Sequence, residues 1–258
     1  MTLVLPPRLT ASAEAVSDAA ERRGLCTVQL PTFAVPSGLR AEHLHAGPTF
    51  ADAVAPALDI ALLQASEDWL ARLPYEYTQR EILAMPIREA WALRRPAFVK
   101  SPNDKGIRAL VYTDGSRLPG PDQVDPQTPV LVSDVVEFTA EYRLHVLDGM
   151  VHTGSQYAER SELRLGPLPP DASAFGADLL AGYGDTLPTA IVVDVGVSNG
   201  RWAVIEANAA WASGIYTADP QRALDVILRA TGPVDAVTSR NRPYLRMPTG
   251  RVPQPAAD

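Results

Sequence analysis

One stretch, residues 192–208, constrains this chain more than any other. Two runs rich in β-branched residues, 192–197 and 201–205, are joined by Ser198, Asn199 and Gly200. Asn and Gly tolerate the left-handed backbone angles of a tight turn, so a β-hairpin is predicted. Each strand carries oxygen donors where a buried strand is usually apolar. Asp194 lies in the first, and Glu206 and Asn208, two apart in the second, share a face because side chains alternate along a strand. Register decides whether Asp194 joins them. A two-residue turn at Asn199 and Gly200 sets Asp194 opposite Ile205 and leaves Glu206 on the far face. A three-residue loop of Ser198, Asn199 and Gly200, with a bulge at Gly200, brings all three donors together, and this loop is the expectation. Two carboxylates and an amide oxygen on one face suit a hard cation such as Mg²⁺. The plainer alternative is the polar face of a solvated sheet.

With 258 residues, 46% of them hydrophobic, the chain can build a core for one large domain or two small ones. It has no run of about 18 apolar residues, so no membrane span is expected. Its first residues lack a basic-then-apolar leader, which makes the cytoplasm the expected compartment. A net charge of −7 argues against non-specific nucleic-acid binding, which needs basic surface to displace counterions. Cys26, the single cysteine, sits in an apolar run and reads as a buried structural thiol.

The chain opens with an apolar run at residues 2–5, a helical stretch at 10–23 closed by Gly24, and a second apolar run at 25–30. That order predicts parallel strands with a right-handed crossover. No glycine-rich phosphate loop follows the first run. Residues 31–56 read as loop, with His43 and His45 as solvated side chains, since no third metal ligand is in view. Helices are expected at 57–73, with Trp69 in the core, and at 83–95, stopped by Pro96. From there the pattern turns to strands. Residues 97–100 end in Lys100, followed by a turn containing Lys105 and Gly106 and a strand at 107–112. A lysine at a strand end beside a small loop suits a phosphate, although a surface lysine is the simpler reading. After a proline-rich loop at 115–129 come strands at 130–136, 141–147 and 151–157. Glu141, Arg143 and His145 share one face of the second of these. Arg160 and Arg164 follow in a charged loop, where they could clamp a carboxylate. Helices are expected at 171–183 and from Pro220 to about Thr231.

Phe98-Val99-Lys100, the strand pair from Ser133 to Arg143, and above all Asp194 with Glu206, Asn208 and the following Ser213-Gly214-Ile215-Tyr216 resemble the ATP-grasp superfamily. The likeness spans about residues 98–216. It implies an α+β chain with an ATP-grasp domain at 96–240, whose two α+β subdomains enclose the nucleotide. A small Rossmann-like α/β segment at 1–95 would precede it, and a Pro-rich tail at 241–258 would follow. It also implies ATP, with Lys100 and Lys105 on the phosphates, Asp134 and Val136 at the adenine edge and Glu141 on the ribose hydroxyls. Mg²⁺ would be held by Asp194, Glu206 and Asn208. The implied activity is that of an ADP-forming ligase, which activates a small-molecule or peptide carboxylate as an acyl phosphate and passes it to an amine. Many relatives carry an arginine two residues before the first metal aspartate, where this chain has Val192. Arg143, on the face of Glu141, is expected to supply that charge as a catalytic residue beside Lys100. The departure keeps two other readings open, an ATP-binding module without turnover and a small-molecule kinase.

Overall fold

The computed structural model describes residues 1–104 and 106–247. It opens with β1 (Thr2–Leu5), α1 (Ala11–Arg22), β2 (Cys26–Gln29) and β3 (His43–Leu44). The three strands form a parallel sheet in the order β2-β1-β3, as the β-α-β pattern predicts. Thr10 starts α1 by accepting the Ala13 N–H at 3.2 Å, which satisfies one of the free N–H groups of the first turn. Cys26 corrects its expectation. It lies in an edge strand and is exposed. His43 and His45 also differ from the solvated loop side chains expected, since both are buried.

The chain continues through α2 (Pro48–Val54), β4 (Ile60–Leu62), α3 (Trp69–Arg72), α4 (Tyr75–Thr78), β5 (Ile82–Pro86) and α5 (Ile87–Ala90). Two long helices were expected here, and strands replace much of both. At 57–73, Asp59 takes a left-handed φ of 53°, which ends the turn at Pro56–Leu58, and the fully buried run of β4 pairs with a later strand. At 83–95, Pro86 cannot continue a helix, and the preceding residues instead pair with β8. Short apolar runs fit either state, and tertiary partners decide. Trp69 is in the core, as read from the sequence.

Next come β6 (Ala97–Lys100), β7 (Leu110–Tyr112), β8 (Pro129–Ser133), β9 (Ala140–Leu147), β10 (Met150–Glu159) and β11 (Glu162–Pro167). The last elements are α6 (Pro170–Tyr183), β12 (Ala190–Ser198), β13 (Arg201–Asn208), α7 (Pro220–Ala230) and β14 (Thr231–Pro233), which pairs with β4. Asp219 caps α7 by accepting two N–H groups. Two antiparallel sheets dominate, ordered β5-β8-β6-β7 and β11-β10-β9-β12-β13. Strand β5 precedes residue 96, yet it belongs to the first of them.

The five-stranded sheet is covered on both faces, which explains why β12 is apolar at both parities. Leu144, Val146, Val193 and Val195 pack with Leu179 and Leu180 of α6. On the opposite face Val192 packs with Trp211 and Val226 of α7. Each such side chain contributes about 1.5–3 kcal/mol when fully buried. The solvated-sheet reading of Glu141, Arg143 and His145 is thereby excluded, because their face is also covered. The remainder of that face opens onto a cleft against the four-stranded sheet. Beyond α7, residues 234–247 fold back. The Arg246 guanidinium grips Asp52 at 2.6 and 2.8 Å. Residues 248–258 of the expected tail lie outside the described residues.

Candidate active site

The hairpin of β12 and β13 is closed by two residues, not three. Ser198 pairs with Arg201, and Asn199 (φ 51°) and Gly200 (φ 74°) both take left-handed angles, which is the type I′ geometry that Asn-Gly favours. A regular ladder from that turn would separate the acidic residues. It does not, because the register slips by one between Val195 and Asp194: Val195 faces Val204, whereas Asp194 faces Glu206, leaving Ile205 as the extra residue of a β-bulge. Asp194, Glu206 and Asn208 therefore do share a face, by a device other than the expected loop.

These groups form a compact network. Asp194, 1% exposed, takes Arg143 in bidentate fashion at 2.8 and 2.7 Å. Asn208 donates to both Asp194 (3.1 Å) and Glu206 (2.7 Å). Glu206 is ion-paired with Lys100, which reaches across from the four-stranded sheet. Burial pushes the Glu206 carboxyl up, but Lys100 and Asn208 outweigh it and hold it below the usual range. Burial likewise disfavours charge on Arg143, yet the Asp194 carboxylate keeps it firmly protonated. Arg143 also lies over the stacked rings of Tyr157 and Tyr216, 5.5 and 5.1 Å from their centres, and donates to the Gly214 carbonyl at 3.3 Å.

Two clefts meet at Lys100 and Glu206. One, of ≈ 330 Å³, runs between the sheets with Phe98, Leu131, Val136 and Ile205 as apolar walls and Glu141 among its polar groups. Exposed Val111 and Val135 flank its mouth. Such a slot, mostly apolar with a few converging polar groups, suits a planar heterocycle with a polar tail. Asp134 lines it, but its carboxylate is occupied by the Glu81 N–H and Arg95, both at 3.1 Å. Among the described residues the main chain of Val136 makes no hydrogen bond, so it is free to read a ligand edge. Glu141 accepts from the Tyr157 hydroxyl at 2.7 Å. Burial raises its carboxyl above the usual range despite that bond. The second cleft, of ≈ 730 Å³, continues past Asn208 to Arg108 and Ser213. Lys105 lies outside the described residues. Arg160 and Arg164 line neither cleft, and Arg164 instead sits on β11 with Glu159 at 3.8 Å, which removes them as a carboxylate clamp.

The donor set fits magnesium in kind, being all oxygen and converging on one face. Among the described residues no group of three His, Cys, Asp or Glu side chains has metal-binding spacing, so the amide oxygen of Asn208 is needed as the third donor. The amide is assigned here with its nitrogen toward the carboxylates, and a cation would require the reverse orientation. Sequence reading missed Arg80 and Tyr157. Arg80 is buried and donates to three carbonyls, and no local pattern marks it.

The sequence profile of an ATP-grasp domain family, the second family of its clade, matches residues 77–226. That is more than half of the chain, and the chain belongs to this family. It has the ATP-grasp fold, α+β in composition. Among solved structures, it is similar to a D-alanine–D-alanine ligase from Bacillus anthracis, at 13% identity and a TM-score of 0.50, covering 89% of this chain and 96% of that one. It is also similar to a RimK domain ATP-grasp protein from Sphaerobacter thermophilus (15% identity, 88% and 100% covered, TM-score 0.47). A third similar structure is the ATP-grasp ligase PsnB with minimal precursor, Mg and ADP (14% identity, 89% and 96% covered, TM-score 0.46). No curated protein sequence matches the chain. Among the described residues no helix is long and apolar enough to cross a membrane.

Proposed function

We propose that this protein is an ATP-dependent, ADP-forming ligase that joins a carboxylate to an amine. The observation that carries the reading is the junction at Lys100 and Glu206, where an apolar slot sized for a nucleotide base meets a larger second cleft. Phosphoryl transfer needs positioning and neutralisation of charge more than covalent chemistry from the protein. The site supplies both. Adenine occupies the slot against Val136 and the Asp134 main chain, and Glu141 faces the ribose. Lys100 exchanges Glu206 for a phosphate oxygen. Glu206, Asn208 and Asp194 would hold magnesium, which supplies charge neutralisation between neighbouring phosphates. In the second cleft an oxygen of the acid substrate attacks the γ-phosphorus and ADP leaves. The amine then attacks the acyl carbon, loses its proton and expels inorganic phosphate. Arg143, anchored by Asp194, contributes positive potential at the junction where Val192 leaves no charge.

Two findings favour a second reading, a nucleotide-binding module without turnover. Both Asp194 oxygens are engaged by Arg143, and Val192 carries no charge. One experiment separates the readings. The protein is mixed with Mg²⁺-ATP and panels of amino acids and peptides as acids and amines, and ADP release is followed. ADP that appears only with an acid and an amine together supports the ligase. ADP with one acceptor alone and a surviving phosphorylated product makes the protein a kinase. ATP binding without ADP from any pair makes it a binding module.

A further inference from the structure

The bulge that brings Glu206 to the face of Asp194 has its own support. In a regular strand successive carbonyls point in opposite directions. Yet one side chain, Arg80, donates to Val204 O at 2.9 Å and to Ile205 O at 3.0 Å, while also holding Thr78 O at 2.9 Å. A single guanidinium can take both carbonyls because the bulge turns them the same way, and its planar fork supplies the paired donors. Arg80 is only 7% exposed. Burial lowers its pKa to about 10, and among the described residues no carboxylate hydrogen-bonds it. The Phe138 ring lies beneath it at 5.4 Å. Gly196 leaves the space that Phe138 and Ile205 fill, since a Cβ there would sit 2.7 Å from the first and 3.0 Å from the second. The result is that consecutive residues, Ile205 and Glu206, line the same cleft, which an unbulged strand forbids.

We propose that Arg80 is a positioning residue that fixes this bulge, and through it places the Glu206 carboxylate beside Asp194 and the Ile205 side chain against the nucleotide. Its consequence for metal and ATP rests on the ligase reading, while the register itself does not. Arg80 acts through the backbone of β13 and touches no reacting atom. Arg80→Met removes the fork, and the ladder from the two-residue turn then runs on regularly, with Ile205 opposite Asp194.

The test has two readouts on the full chain. Cross-strand NMR contacts report register: the parent shows Asp194 against Glu206, and Arg80→Met shows Asp194 against Ile205. Calorimetry with ATP, in EDTA and in Mg²⁺, reports the site. Arg80→Met lowers the Mg²⁺-dependent gain in ATP affinity about 10–100-fold, the usual effect of losing a residue that orients a metal ligand, and leaves metal-free affinity unchanged. Arg80→Lys, a cation without the fork, falls between, and carries both readouts should Arg80→Met not fold. Deleting Ile205 in the Arg80→Met background restores register, because Glu206 then follows Val204 directly and faces Asp194 without a bulge. An unaltered Asp194–Glu206 contact in Arg80→Met overturns the proposal. So does an equal loss of ATP affinity with and without Mg²⁺, which makes Arg80 a nucleotide ligand. A parent that binds no ATP overturns the ligase reading, and the NMR register then decides the role of Arg80 alone.

Discussion

His45 and His145 stand behind the site with their protons removed. His145 shares the face of Arg143 on β9, is 0% exposed, and neither of its ring nitrogens has a hydrogen-bond partner among the described residues. Burial, reinforced by Arg143 and His45, lowers its pKa to about 3, and burial lowers that of His45 to about 4. Both are therefore neutral in the fold, whereas in the unfolded chain they protonate near 6.5. The sign follows from linkage: below 6.5 the unfolded state binds more protons, so stability is fully present above that pH and is lost as pH falls toward 4. At about 1.4 kcal/mol per pH unit per group, the two together remove about 3–4 kcal/mol between pH 7 and pH 5. That is a large share of the ~5–15 kcal/mol that holds a typical domain. Urea unfolding at pH 7 and pH 5 measures the loss, and a His45→Gln/His145→Leu variant provides the control. Glu67 and Glu141, whose pKa values burial raises, oppose the trend equally in parent and variant. The variant is expected to lose about 3–4 kcal/mol less than the parent over this interval. Equal losses in the two proteins would refute the assignment of neutral buried imidazoles.

Three further outcomes are expected. Lys100→Ala weakens ATP binding about 10–100-fold, the worth of a hydrogen bond to a charged group, and by more than Lys100→Arg; equal affinity in Lys100→Ala and parent by calorimetry removes Lys100 from the phosphate site. Arg143→Met leaves the Asp194 charge buried and unpaired and destabilises by about 3–5 kcal/mol in urea, whereas Arg143→Met/Asp194→Leu recovers most of that loss; a double variant no more stable than the single one would show that the pair is not the source. Cys26, exposed in an edge strand, reacts with a thiol reagent in the native protein as fast as in urea to within about tenfold, and protection until unfolding contradicts its exposure.

The sequence reveals the donors of the site more readily than the device that aligns them. Lys100 at a strand end, and Glu206 and Asn208 two apart, are local patterns that strand periodicity exposes. The bulge at Ile205 depends on Arg80, 124 residues earlier in the chain from Val204, and no local rule reports a partner at that distance. The same limit explains the helices expected at 57–73 and 83–95. Ile60–Leu62 and Ile82–Pro86 become strands because Thr231–Pro233 and Pro129–Ser133 lie alongside them. Turn chemistry was the better guide at Asn199 and Gly200. The Asn-Gly pair takes its favoured two-residue turn, and the register conflict this creates is resolved further along the strand.

The two ion pairs of the site differ in what they can release. Arg143 and Asp194 have side chains 11% and 1% exposed, whereas Lys100 and Glu206 have 13% and 28%. Separating the first pair leaves a charge with no access to water, and Arg143 has further ties to Gly214 and to two aromatic rings. Separating the second exposes each partner to the clefts that meet there. Lys100 reaches from one sheet to the other, so its bond to Glu206 also closes the cleft. Phosphate oxygens on Lys100 and a divalent cation on Glu206 would replace that bond with two charge-compensated contacts, and no buried charge is left uncompensated in the exchange. Arg143 and Asp194 thus serve as the fixed support and Lys100 and Glu206 as the working pair. On this ground Asp194→Asn should harm folding more than magnesium dependence, while Glu206→Gln should do the reverse. Urea stability and the Mg²⁺-dependent gain in ATP affinity, measured on both variants, test the division, and the opposite ranking would overturn it.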